Sequence, residues 1–207
     1  SDGGAHGKVV ALKAHRDLNL WYRTGLPYDE IHPEDPNNVG VIARSETDGQ
    51  ENMKAYKQIP DWKTHYPVAA YVSDLNDGNG NPGWYLPAIK EVQAMVGWID
   101  GEVLSPDGEA GQEPSEAMKE KRKAINQLIV DNGGNEFYFY GYDVSFIIDQ
   151  TNAWEADYFN RIYTSTETDY QVHPMVFKFY LRNGWWENMH IYGDLASYGE
   201  IRPFLAF

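Results

Sequence analysis

The sequence predicts an α+β fold, with antiparallel sheets and two or three helices. Three observations predict it. Apolar residues at helical spacing occupy the first two-thirds of the chain, strand-like runs crowd the last third, and the chain ends on the apolar run Ile201–Phe207. Chain ends fray unless they are tied into a sheet, so a terminus this hydrophobic reads as a buried strand that closes the fold. Helices and strands that segregate along the chain argue against alternating βαβ units.

Residues 1–7 are small and polar and read as a disordered lead-in, and residues 8–207 read as a single domain. Val9–Leu12 reads as a short buried strand and Asp17–Tyr22 as a second. Residues 25–50 are rich in Pro, Asn, Asp and Gly and read as loop, with Val39–Ala43 a short strand within it. Asp48 is placed to cap a helix over Gln50–Gln58, with Met53 and Tyr56 or Lys57 on one face. Tyr66–Val72 continues as a strand or as a further helical turn that Pro67 can start. Ser73–Gly83 is a turn-rich loop. Trp84-Tyr85-Leu86 then enters a helix with Pro87 near its first position, and Ile89, Val92, Met95 or Val96, and Ile99 form its apolar stripe. Residues 100–114 are an acidic Gly/Pro/Ser loop. Ser115 caps a third helix with Glu116 in its first turn. Met118, Ile125, Leu128 and Ile129 share one face of it, and Asn132-Gly133-Gly134 end it. From Glu136 onward the strand candidates are Phe137–Tyr140, Val144–Ile148, Ile162–Ser165, Met175–Leu181, Trp185–Tyr192 and Ile201–Phe207.

A chain of 207 residues buries roughly 70% of its unfolded surface and needs no disulfide or metal to fold. The absence of cysteine excludes a disulfide scaffold, thiol catalysis and cysteine-bound zinc. A net charge of −14 repels nucleic-acid phosphates and anionic membranes, so neither is expected as a partner. No apolar run approaches the ~20 residues that span a bilayer, so no direct membrane insertion is expected. The start at Ser1-Asp2-Gly3-Gly4 reads as a mature or truncated terminus without a signal peptide.

The stretch Asp74–Asn81 has the oxygen-rich composition that calcium favours, but its glycine falls one position early for a helix-loop-helix site, and Asp, Asn and Gly are ordinary turn residues. No cofactor is otherwise expected. The six histidines include no pair three or four apart, and there is no nucleophile elbow, phosphate loop or dinucleotide fingerprint. A pair of carboxylates for glycoside hydrolysis stays open, since spatial pairing does not show in a sequence.

The segment Tyr180–Tyr198 carries Tyr180, Arg182, Trp185, Trp186, Asn188, His190, Tyr192, Asp194 and Tyr198. Trp, Tyr and Arg dominate binding hot spots, and Asn and Asp add directional hydrogen bonds. In a strand Trp185 and Trp186 fall on opposite faces, one toward the core and one outward. The competing reading is that all these rings are core or half-buried sheet residues.

Four motifs in order carry a resemblance. Gly83-Trp84-Tyr85-Leu86-Pro87 followed by Glu91 resembles the "GWYLPS-x-x-EL" signature of a C-type-lectin-like domain of bacterial surface proteins. That domain is common in Bacteroidales lipoproteins and pilus adhesins, and related Lcl C-terminal-type domains share it. Thr47–Asn52 resembles the "DG-x-x-N" start of the first helix, Tyr163–Glu167 resembles "YWSSTE", and Ile201–Phe207 resembles "VRPVLAF". Thr164 departs from the usual Trp, and residues 134–159 resemble an insertion. Formylglycine-generating oxidases share the broad fold but need cysteines this chain lacks, and Glu113-Pro114-Ser115 and Trp186-Glu187-Asn188 only approach the calcium-lectin motifs.

The resemblance implies a C-type-lectin-like architecture with paired N- and C-terminal strands, and structural roles for Trp84, Leu86, Pro87, Glu91, Glu167 and Arg202. Arg202 is expected to pair with Glu91 or Glu167. The resemblance also implies an extracellular or outer-membrane location and a non-enzymatic adhesin for a host or bacterial surface protein or glycan. The contact residues would be Tyr180, Arg182, Trp186, Asn188, His190, Tyr192, Asp194 and Tyr198. In some such proteins a diversity-generating retroelement varies the region before the terminal strand. The alternatives are a carboxylate-dependent hydrolase and a structural subunit of a surface assembly.

Overall fold

The computed structural model describes residues 7–16, 42–76, 83–101, 115–137, 161–167, 174–179, 186–190 and 199–207, with 174–179 and 186–190 described by their backbone. These residues form a mixed α+β arrangement of five helices and seven strands.

Helix α1 (Gly49–Tyr56) starts where Asp48 predicts it. The Asp48 carboxylate accepts the Glu51 N–H at 3.0 Å, satisfying one of the donors a helix start leaves open. Met53 and Tyr56 face the core, as their spacing requires. Gly49 is needed for contact: a Cβ there would stand 2.3 Å from the Leu86 carbonyl oxygen. After the short α2 (Trp62–His65), the choice between strand and helix at Tyr66–Val72 falls to helix, α3 (Pro67–Asp74), with Pro67 in its first turn. Helix α4 (Ile89–Asp100) buries Ile89, Val92, Val96 and Ile99, the expected stripe. Helix α5 (Glu116–Asp131) is capped by Ser115, whose hydroxyl accepts the Met118 N–H at 3.3 Å, and its end is followed by Gly133 at φ 75°.

The inward face of α5 differs from the expected apolar one. Arg122, Asn126 and Ile129 are buried, while Leu128 is 59% exposed. The reason is the chain that returns beneath the helix. Phe137 has backbone groups to satisfy, and Asn126 serves both: its Nδ2 donates to the Phe137 carbonyl at 2.7 Å and its Oδ1 accepts the Phe137 N–H at 2.8 Å.

Two sheets form among the described residues. Strand β1 (Lys8–Val10) pairs antiparallel with β7 (Phe204–Ala206), in register from Lys8↔Ala206 to Val10↔Phe204. The terminal strands therefore pair, as expected. Gly7, expected in the disordered lead-in, belongs instead to this ribbon, exchanging both backbone hydrogen bonds with Phe207 at 2.8 and 3.0 Å. The second sheet runs β2 (His15–Arg16), β6 (Glu200–Ile201), β3 (Arg161–Glu167), β4 (Pro174–Phe179), β5 (Trp186–His190) and is antiparallel except between β3 and β6.

Two expectations about strands need correction. The strand near Val9–Leu12 is not buried: Val9 is 41% and Leu12 45% exposed, and Val10 alone of β1 packs on the core. Alternation in a two-stranded ribbon gives the core only one face. The tail Ile201–Phe207 is also not one strand. Pro203 has no N–H for a ladder, and between β6 and β7 the chain passes from one sheet to the other. Ile42 and Ala43 are not in a strand, though the Ala43 carbonyl accepts the Glu167 N–H at 2.9 Å. The strands expected at Asp17–Tyr22 and Val144–Ile148, Tyr138–Tyr140 and most of 134–159 lie outside the described residues.

Candidate functional site

The four motifs meet in space. Tyr85 exchanges backbone hydrogen bonds with Phe204, each at 2.9 Å, with the two rings edge to face. Leu86 is fully buried, and the Pro87 carbonyl accepts the Ser165 N–H at 2.7 Å. Trp84 is half-buried, its backbone N–H and carbonyl bonded to the Asn76 side chain at 2.7 and 2.9 Å. Asn52 of α1 holds both backbone groups of Ser45 and donates to Ser165 Oγ at 3.0 Å. Thr166 Oγ1 accepts the Ile89 N–H at 3.0 Å and donates to the Ser45 carbonyl at 2.9 Å. Each motif thus satisfies backbone groups of another, which is framework chemistry.

Glu91 sits at the centre of this frame. One carboxylate oxygen accepts from Lys8 and from the Tyr85 hydroxyl at 2.8 Å; the other accepts the N–H groups of Gly49 at 3.0 Å and Ala88 at 2.7 Å. Burial, then the bond to Glu91, pushes the Tyr85 phenol well above its ordinary range. Burial does the same to Tyr163, against a weaker opposing pull from Arg161.

The expected partners of Arg202 are wrong. Glu91 is spent on β1 and α1, and Glu167 accepts the N–H groups of Ile42 at 3.0 Å and Ala43 at 3.3 Å. The fully buried Arg202 pairs instead with Glu200, two residues back, at 2.9 Å. Glu200 lies in β6 and Arg202 directly follows that strand, which brings the buried carboxylate within reach of the Arg202 Nε. The remaining guanidinium donors reach the carbonyls of Ala11, Leu12, Asn135 and Glu136 at 2.9–3.3 Å, and the group lies 3.9 Å over the Phe137 ring. Arg16 joins the same Glu200 carboxylate at 3.1 Å.

Of the expected contact residues, Trp186, Asn188 and His190 fall at alternate positions of β5, hence on one face of the strand, in register with Phe179, Phe177 and Met175 of β4. Strand β5 is the outermost of its sheet among the described residues. Tyr180, Arg182, Trp185, Tyr192, Asp194 and Tyr198 lie outside the described residues, as does most of the calcium-like stretch Asp74–Asn81, of which Asp74 pairs with Lys63. Among the described residues no group of His, Asp and Glu is placed to hold a metal ion, and no helix is long and apolar enough to cross a membrane.

A second site was not expected from the sequence. An open groove of about 860 Å³ lies between β1, α4 and α5. Val9 and Leu12 form one wall, Met95 and Trp98 of α4 a second, and Ile125 and Leu128 of α5 a third; the buried Phe137 and Phe204 lie at the bottom. Trp98 is 73% exposed. Its position was the available signal, since a large ring off the buried stripe of α4 has no core role. Comparison with known protein families, characterised proteins and solved structures finds no match for this chain.

Proposed function

We propose that this chain is a binding module: a C-type-lectin-like domain of a secreted or surface-anchored protein, acting as an adhesin for a surface protein or glycan. The single observation that supports this reading is the placement of Trp186, Asn188 and His190 together on one face of an outer strand. An aromatic ring, an amide and an imidazole along one face suit non-covalent recognition, by stacking on a sugar or protein surface and by directional hydrogen bonds. Tyr180, Arg182, Tyr192, Asp194 and Tyr198 flank the strand in sequence and belong to the same proposed face. The motif residues Trp84, Leu86, Pro87, Glu91, Glu167 and Arg202 are its scaffold. The chemistry is binding without bond making, and the location is the cell exterior.

The test is a glycan array and a screen of host surface proteins. The parent is compared with a Trp186→Ala, His190→Ala double variant and with a Tyr192→Ala, Tyr198→Ala double variant. The expected result is a loss of at least about tenfold in affinity with an unchanged melting temperature, since hot-spot residues carry about 2 kcal/mol or more each. Full binding by both variants would remove this face from the function.

A further inference from the structure

Strand β1 has one edge closed and one open. Gly7 exchanges both backbone hydrogen bonds with Phe207, and the Ala11 N–H donates to the Pro203 carbonyl. The register between these two rungs is unbroken, so alternation turns the backbone groups of Val9 toward β7 and those of Lys8 and Val10 away from it. The far edge of β7 is closed by Tyr85, which exchanges both backbone bonds with Phe204. Among the described residues nothing closes β1 in the same way. Its sheet has two strands, and the outward N–H and C=O groups of Lys8 and Val10 have no hydrogen-bond partner there.

The groove follows that open edge. Lys8 and Val10 lie on the face of β1 that reaches Glu91 and the core, and the exposed Val9 lies on the other. All three line the groove, and a space that borders both faces of a strand runs beside its edge. Opposite stand Met95 and Trp98 of α4 and Leu128 of α5. Strand edges left open to solvent are normally blunted by proline, a bulge or charge. β1 has neither proline nor bulge, and its one charge, Lys8, is turned inward onto Glu91.

Unpaired N–H and C=O groups two residues apart are matched by another extended backbone; an aliphatic chain or a packed helix has nothing to offer them. Strand addition divides its labour in this way, with main-chain bonds for affinity and an apolar wall for alternate side chains. Lys8 is met by Glu91 and Lys90 by Glu46, so the groove presents no net charge for a charged ligand. Two chains of net charge −14 repel each other, which disfavours a second copy as the occupant.

We propose that an uncharged, extended segment of another protein adds to β1 as a third strand of the ribbon. It bonds to the outward groups of Lys8 and Val10 and lays alternate apolar side chains against Met95, Trp98 and Leu128. The site is separate from the face on β5 and does not depend on it.

The probes are acetylated, amidated seven-residue peptides that alternate Thr with Val, Leu or Phe. Each is titrated into the intact protein while backbone amide exchange is followed by NMR. In the free protein the Lys8 and Val10 amides are expected to exchange fast and those of Val9 and Ala11 slowly. At least one peptide is expected to bind saturably and to slow exchange at Lys8 and Val10 by about tenfold or more. The same peptide methylated on every backbone nitrogen keeps its side chains, loses its donors and is expected not to bind. Lys8→Pro removes an outward N–H where an edge strand tolerates proline. It is expected to weaken the peptide at least about threefold relative to Lys8→Met, which loses the same ammonium but keeps the N–H. Leu128→Glu, at an exposed position of the wall, is expected to weaken it about tenfold. Melting curves check that each variant is folded, and the methylated peptide carries the test should Lys8→Pro not fold. The proposal is overturned if no peptide binds saturably, if the methylated peptide binds as well as its parent, or if Lys8 and Val10 are already protected in the free protein at every concentration. It is also overturned if that protection grows with protein concentration and sedimentation shows a dimer, since a second copy is then the added strand.

Discussion

Arg202 joins three stretches of chain that lie far apart in sequence: the turn after β1, the exit of α5 and the strand β6. A lysine cannot reproduce this, because a single ammonium lacks the planar fork that serves several carbonyls and a carboxylate at once. Arg202→Met is expected to cost about 3–5 kcal/mol, the range for breaking a buried pair and leaving its partners unsatisfied. Urea unfolding followed by circular dichroism measures it, and Arg202→Lys should recover only part. A variant as stable as the parent would show that the network is idle. Two phenols give a second test at this scale. The folded pKa values of Tyr85 and Tyr163 stand above the ordinary value of 10.0. Their contribution to stability is therefore complete below that pH. It falls as the pH rises above it, because the unfolded chain then releases protons that the folded chain keeps. Urea midpoints should drop through this range, and Tyr85→Phe should flatten part of the drop. Tyrosinate absorbance showing that both phenols titrate normally in the folded protein would contradict the burial account.

Local signals decided which elements were legible. The Asp48 and Ser115 caps and the stripe of α4 depend on residues within a turn or two, and each stands where the sequence places it. The face of α5 was not legible, because Arg122 and Asn126 look like surface residues until the chain at Phe137 is brought under them. The tail was misread as one strand because its apolar content concealed what Pro203 does to a ladder. Contact between elements also sets the cost of one small change. In Gly49→Ala the new methyl would meet the backbone oxygen of Leu86, which cannot swing aside as a side chain would. The expected loss is about 1–3 kcal/mol, the usual cost of overpacking, against about 1 kcal/mol for removing the cap in Asp48→Ala. Thermal melting of the two variants side by side checks the order; an Asp48→Ala variant that melts lower than Gly49→Ala reverses it.

At the scale of the molecule, the segregation of helices from strands was legible from where the apolar residues lie, and the pairing of the terminal strands was what the resemblance implied. Strand order was not: that β6 enters between β2 and β3, parallel to β3, depends on contacts no local pattern encodes. The groove escaped for the same reason, since its walls come from β1, α4 and α5. The candidate face on β5 was half legible: composition marked the segment, and the register supplied which residues fall together. The ribbon of β1 and β7 also has a mechanical meaning. Gly7 and Phe207 meet at its open end, so tension drawn between them loads the rungs in turn, as a zip is opened, and not all at once in shear. The last rung is the bond from Ala11 to Pro203, and directly behind it Arg202 grips the Ala11 and Leu12 carbonyls. A pull on the ends therefore meets soft resistance over a few residues and then a stop.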